Sequence, residues 1–310
     1  MPNTKLPHIL VITGPTASGK SSLALTLAKK IPAEIISADS RQIYKYLDIG
    51  TAKPTPEERN AVPHHCIDIR TPDQRFNAGD FQIAGRKAIA DIGKSKKLPI
   101  IVGGTGLYIR ALVDGFFEQP VFSGKIRSEL EDRLVNDGKE SLYEELRTVD
   151  PESAERMDAS KQRRVIRALE VFYETGITIS EYHRHHTVEH MYDASFVGLQ
   201  WDRKKLYERI NDRVDRMREQ GLVEEVRRLL ERGFDDRLQA LQTVGYKEAI
   251  SHLRGEIAFD RMVELIKQNT RRFAKRQITW FRKEPRIEWF DISDDKQGDS
   301  IADKISSSLK

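Results

Sequence analysis

Apolar residues recur in two rhythms along this chain. Short continuous runs, HILVIT (8–13), AEIISA (33–38) and LPIIVGG (98–104), are bounded by polar or glycine-rich residues, the pattern of strands buried on both faces. Between them apolar residues fall three and four apart. These stretches are GKSSLALTLAKKI (19–31), with Leu23, Leu27 and Ile31 along one side, then FQIAGRKAIADIGKSKK (81–97) and LYIRALVDG (107–115). Strands alternating with helices predict an α/β fold whose parallel sheet is covered on both faces. From Lys125 to about Tyr182 only the helical rhythm persists, through IRSELEDRLVNDG, SLYEELRTVD and KQRRVIRALEVFYETG. SFVGLQW (195–201) predicts a return to the sheet, and EWFDI (288–292) a last short strand. Between these two lie DRKKLYERINDRVDRMREQG, LVEEVRRLLERG and the long MVELIKQNTRRFAKRQITWFRK, all helical in pattern. The expected division is a core over 1–120, a helical insertion over 121–194, and the second part of the core over 195–310. The last ten residues are polar and are expected to fray.

Composition narrows the class. The chain has 310 residues and no apolar run of eighteen or more, so a membrane span is not expected. Its first residues, MPNTKLPHIL, lack the features of a secretory signal. One cysteine, Cys66, excludes an internal disulfide and a Cys-rich zinc site and fits a reducing compartment, so the cytoplasm is expected. A net charge of +4 is too small to announce a nucleic-acid binder, but its distribution is uneven. From Arg261 to Lys283 eight Lys or Arg face one acid, Glu264, and the tail then turns acidic with Asp291, Asp294, Asp295 and Asp299. No exposed apolar heptad pattern stands out, so a monomer is expected.

GPTASGKS (14–21) follows the first strand and opens a helix. It fits G-x-x-x-x-G-K-[ST], a phosphate loop whose backbone N–H groups wrap phosphates. Its residues Gly14, Pro15, Thr16, Ala17, Ser18 and Gly19 form the expected cradle. Lys20 would neutralise a diphosphate, Ser21 would ligate Mg²⁺, and the helix N-terminus adds partial positive charge. Two further segments, ADSRQIY and GGTGLY, follow the second and third of these strands. Ligands of parallel sheets bind outside the carboxyl ends of the strands, so all three should converge on one pocket. Asp39 reads equally as a helix cap, a Mg²⁺ ligand or a general base. Gly103, Gly104 and Thr105 read either as a turn needing glycines or as a close approach to ligand.

The motifs in order, GPTASGKS, ADSRQIYKYLDIGTAKP (38–54), PHHCIDI (63–69), GGTGLYIRAL, RVIRALEV (164–171), ERINDRVDRM with GLVEEV, TVGYKEA (243–249) and KRQITWFR (275–282), resemble the tRNA dimethylallyltransferases. The resemblance covers nearly the whole chain. It implies a nucleotide-kinase-like P-loop core with a helical insertion that grips the anticodon stem-loop. It further implies transfer of a dimethylallyl group from dimethylallyl diphosphate to N6 of the adenosine 3′-adjacent to the anticodon. On that footing the P-loop holds an allylic diphosphate rather than ATP, Asp39 accepts the proton of the amine, and Thr105 sits near the adenosine. Arg213 would meet the diphosphate, although beside Asp212 and Asp215 it reads on its own as a solvated helix face. Base flipping is implied, with Asp39, Ser40, Arg41 and Gln42 beside the flipped base. Arg41 stands where the family often has an apolar residue. Arg127, Arg163, Arg164 and Arg167 on the insertion, with Lys247, Arg272 and Arg276, are the expected tRNA contacts. Trp280 and Phe281 are expected in the core, and His64 and His65 are expected to be structural. The eukaryotic zinc finger has no counterpart here, which points to the bacterial type.

HRHH (183–186) and His190 lack ligand spacing for a metal and read as a mobile polar loop. Two competing classes are a P-loop small-molecule or nucleotide kinase and a non-catalytic RNA-binding module. The first leaves the DSRQIY segment without a role, and the second has no need of Lys20.

Overall fold

In the computed structural model, residues 6–115, 124–185, 191–294 and 297–309 are described. The chain forms two compact units, 1–114 with 190–310, and 115–189. In the first unit the opening elements are β1 (His8–Thr13), α1 (Lys20–Lys30), β2 (Ala33–Ser37), α2 (Pro56–Ala61), β3 (His64–His65), α3 (Ala78–Lys94), β4 (Leu98–Gly103) and α4 (Gly106–Val113). The second unit holds α5 (Lys125–Asn136), α6 (Gly138–Val149), α7 (Pro151–Glu155), α8 (Gln162–Thr175) and α9 (Ile179–His185). The first unit resumes with β5 (Asp193–Trp201), α10 (Arg203–Glu219), α11 (Leu222–Glu231), α12 (Tyr246–Leu253), α13 (Phe259–Phe281), β6 (Ile287–Ile292) and α14 (Gln297–Ser308).

The sheet is parallel throughout, in the order β3-β2-β4-β1-β5-β6. Leu10, Ile12, Ile35 and Ile100 pack on Leu23 and Leu27 of α1, so the strands carry apolar residues on both faces as the continuous runs predict. The order matters for function. β2, β4 and β1 are neighbours, so the loops after their carboxyl ends lie side by side.

Two expectations need correction. In the tail expected to fray, residues 301–308 belong to α14, whose Ile301, Ala302 and Ile305 are buried in the same core, and Lys30 of α1 pairs with Asp303 at 2.6 Å. Their spacing of one, three and four is a short amphipathic stripe hidden among serines and charges. HRH (183–185) is not a loop but the last turn of α9. That helix starts on a box of reciprocal bonds, Thr178 Oγ1 accepting from the Glu181 N–H (3.3 Å) and Glu181 Oε2 from the Thr178 N–H (2.9 Å). Its terminal His183, Arg184 and His185 suit the negative end of the helix dipole. His186 and His190 lie outside the described residues.

Within the second unit, Leu130, Leu142, Leu146, Val165, Ile166 and Leu169 close a separate core. Arg127 and Arg167 both turn toward the buried Glu170, at 3.4 and 2.6 Å. Arg163 and Arg164 are exposed, and among the described residues neither pairs with an acid.

Candidate active site

Gly14 begins the loop after β1 with φ +142, and a Cβ there would meet the Leu199 carbonyl at 2.6 Å. Only glycine fits that position. Ala17 (φ 64) and Gly19 (φ 93) wind the loop into α1. The first turn of α1 contains no acid, so its unpaired N–H groups and positive dipole end are available to an anion. Three neighbours brace the loop from behind. Arg209 donates to the Ala17 carbonyl (2.8 Å), the Trp201 indole N–H donates to the Ser18 carbonyl (3.0 Å), and the Thr16 N–H donates to Gln277 Oε1 (2.8 Å). Gln277 is buried and gives its own N–H to the Gly104 carbonyl at 2.9 Å. One amide of α13 thereby ties the β1 loop to the β4 loop.

The β2 and β4 loops are joined directly. The Ser40 N–H donates to Thr105 Oγ1 (3.1 Å), and the Thr105 N–H donates to the Ala38 carbonyl (3.2 Å). Asp39 Oδ1 accepts from the N–H groups of Arg41 (2.8 Å) and Gln42 (3.4 Å). Half of this carboxylate therefore shapes its own turn, and Oδ2 is the oxygen left for other chemistry.

A cavity of about 370 Å³ opens over the phosphate loop. The loop contributes Ala17, Ser18, Gly19, Lys20 and Ser21, and α10 supplies the facing wall with Arg209, Asp212, Arg213 and Arg216. Ala52 also lines the cavity. Burial first and the nearby Arg213 charge second pull the Lys20 ammonium down to about 7, against the opposing pull of Asp39. Arg213 is likewise pushed down, mainly by burial, with Asp39 again opposing. Lys20 and Arg213 lower each other's affinity for a proton on the wall of one cavity, with Asp39 near enough to oppose both shifts, so the site suits an added negative charge. Lys20 meanwhile donates to the Pro15 carbonyl at 2.7 Å, and Arg213 to the Thr51 carbonyl at 3.3 Å.

The residues expected at the site separate into groups. Lys20, Ser21, Asp39, Thr105 and Arg213 gather at adjoining strand ends or on the cavity wall. Ser21 is exposed at the start of α1. A lone hydroxyl beside a phosphate cradle suits Mg²⁺, which takes one or two protein oxygens and completes its shell with phosphate and water. Among the described residues no group of three His, Cys, Asp or Glu could hold a metal on its own. Arg41 is half-buried and donates to the Gln239 carbonyl at 3.0 Å. Gln42 is a correction. It was expected beside the flipped base, yet it is buried, taking a bond from Ser37 (2.8 Å) and giving bonds to the Thr51 and Ala52 carbonyls (3.3 and 3.2 Å). Its amide holds the 37–52 segment together instead.

Lys247, Arg272 and Arg276 are exposed, with Arg276 resting 5.7 Å from the Phe273 ring. Trp280 also departs from expectation. It is 42% exposed and lies over Gly106, where a Cβ would meet its indole nitrogen at 2.0 Å, while Phe281 is buried as expected. His64 bonds the Val62 carbonyl and His65 pairs with Glu34, each at 2.7 Å, both structural. Sequence reasoning missed Arg209, Arg216 and Gln277. The first two were legible as a basic stripe with Arg213, at spacings of four and three, beside the apolar stripe of Leu206, Ile210, Val214 and Met217. Gln277 gives no such signal, because its partners are backbone atoms of distant loops.

Comparisons with known proteins agree with one another. The family model for IPP transferase matches residues 42–284. A tRNA dimethylallyltransferase of Carboxydothermus hydrogenoformans is 48% identical over 303 residues, covering 96% of each chain. One from Geobacillus thermodenitrificans is 48% identical over 287 residues, covering 92% of this chain and 91% of that protein. Among solved structures, the full-length tRNA isopentenylpyrophosphate transferase of Bacillus halodurans has TM-score 0.71 and 39% identity, covering 97% and 96%. A eukaryotic dimethylallyltransferase acting on tRNA has TM-score 0.84 and 30% identity, covering 97% of this chain and 77% of that one.

Proposed function

The chain belongs to the IPP transferase family, and on that premise we propose that it transfers a dimethylallyl group from dimethylallyl diphosphate to N6 of the tRNA adenosine 3′-adjacent to the anticodon, releasing diphosphate. The observation that carries the reading is the cavity over the phosphate loop, faced by Lys20, Arg209, Arg213 and Arg216, with Asp39 near enough to act on the Lys20 charge. The small-molecule kinase alternative is not favoured, because full-length relatives carry the tRNA-transferase name.

The chemistry follows from charge. As the allylic C–O bond breaks, its electron pair moves onto the diphosphate. Lys20, Arg213 and the α1 amides sit where that negative charge develops, and stabilising it there lowers the barrier. Ser21 would hold a Mg²⁺ ion, whose charge would add to that stabilisation. The N6 lone pair forms the new bond to carbon, and Asp39 Oδ2 takes the proton that the amine loses. Thr105, bonded to the Ser40 N–H, holds the rim beside Asp39. The adenine must leave its stack to reach this rim.

In this reading tRNA is held through its phosphates by the exposed Arg163 and Arg164 of the helical unit, and by Lys247, Arg272 and Arg276 of the first unit. Arg127 and Arg167 serve first as partners of Glu170. Among the described residues no helix is long and apolar enough to cross a membrane, and the proposal has the enzyme working as a cytoplasmic monomer. The test is direct. Unmodified tRNA, Mg²⁺ and dimethylallyl diphosphate labelled in the allyl group should yield label in the RNA. Absence of label, together with phosphoryl transfer from ATP to a small acceptor, would overturn the reading.

A further inference from the structure

Three consecutive backbone N–H groups, those of Asp48, Ile49 and Gly50, point at one carboxylate. It belongs to Glu225, which lies 175 to 177 residues further along the chain. Glu225 Oε2 accepts from Asp48 (3.0 Å) and Ile49 (2.8 Å), and Oε1 accepts from Gly50 (3.2 Å). Oε1 also accepts from the Tyr246 hydroxyl at 2.6 Å. Successive N–H groups of this kind form a concavity that binds anions. Here the chain supplies the anion itself, with the Glu225 side chain only 5% exposed. Tyr246 is fully buried and its ring lies so close to Gly50 that a Cβ there would come within 2.4 Å. GLVEEV and TVGYKEA, two segments with no part in the chemistry so far, therefore clamp the same turn.

The clamped turn is also connected to the cavity. Its next two carbonyls, of Thr51 and Ala52, hold Gln42, and the Thr51 carbonyl receives the Arg213 guanidinium. Ala52, at φ +44, is itself part of the cavity wall. Arg213 sits among other cations, so it needs a fixed acceptor to keep its guanidinium pointed.

We infer that Glu225, seconded by Tyr246, is a positioning residue for diphosphate binding: by fixing the 48–50 turn it sets the Thr51 carbonyl and thereby aims Arg213 into the cavity. It touches no substrate and works only through that arginine. This rests on the reading of the cavity as a diphosphate site.

The test is a double-mutant cycle on the affinity for inorganic diphosphate with Mg²⁺, measured by calorimetry on the full chain. Glu225→Gln puts an NH₂ group against donor N–H groups, and Tyr246→Phe removes one bond while keeping the ring on Gly50. We expect affinity to fall about tenfold for the first and about threefold for the second, the scale of lost hydrogen bonds to a charged group. Both losses should vanish when the same changes are made in Arg213→Ala. If Glu225→Gln fails to fold, Tyr246→Phe runs the same cycle alone. Undiminished losses in the Arg213→Ala background, or no loss at all, would overturn the inference. A wild-type protein that binds no diphosphate refutes the reading of the cavity instead, so the two failures are distinct.

Discussion

At Lys20 the electrostatics set a pH dependence whose sign is fixed. Burial and Arg213 lower its pKa to about 7, so in the free protein the side chain is charged below that value and neutral above it. Diphosphate needs the charged form. Affinity for inorganic diphosphate should therefore weaken as pH rises through 7, and binding at pH 8 should take up about one proton at this residue. Calorimetry in two buffers of different ionisation enthalpy measures the uptake, and Lys20→Met should remove it. Gln42 makes a different prediction. With both ends of its amide bonded inside the protein, Gln42→Leu strands buried partners and should cost about 1–3 kcal/mol of stability, seen as a lower melting temperature. A base-reading role would instead lower tRNA affinity and leave melting unchanged. The contrast shows what single residues reveal in a sequence. Lys20 and Ser21 are legible because the phosphate loop couples residue type to fixed spacing. The destination of Gln42 is not, because an amide beside a catalytic motif can face ligand or backbone equally well.

Helices divide the basic residues by what else lies within reach. On α8, Arg167 finds Glu170 one turn away, and among the described residues Arg163 pairs with no acid. Arg163→Ala should flatten the salt dependence of tRNA binding by about one unit of slope for the lost phosphate contact. Arg167→Ala should act mainly on folding, since it removes one of the two arginines facing the buried Glu170 carboxylate. Measuring slope and melting temperature for both variants separates the two roles. α14 was hidden in the sequence for the opposite reason, since serines and charges mask its three apolar positions. Ile305→Ala should cost about 2–5 kcal/mol as a buried aliphatic truncation, and an unchanged melting temperature would mean that this helix does not hold the core.

Across the whole molecule, the parallel sheet was readable from three continuous apolar runs, because strands buried on both faces have no polar side. The order of the strands was not readable, since it depends on which neighbours the crossovers skip. That order places β2, β4 and β1 side by side, which is why three separate loops make one rim. The same gap explains the site residues that went unread: Gln277 and Glu225 act on loops 173 to 261 residues distant, and no local spacing encodes such a contact.

The central claim is that Asp39 at this rim takes the proton of an attacking amine while the basic cavity receives the departing diphosphate. Asp39→Asn tests it most directly, because the amide oxygen still accepts the Arg41 N–H and preserves the turn while the base is lost. In single turnover with saturating dimethylallyl diphosphate, Mg²⁺ and tRNA, transfer should slow by about 10²–10⁴, with tRNA binding unchanged. Transfer at the wild-type rate would contradict the account.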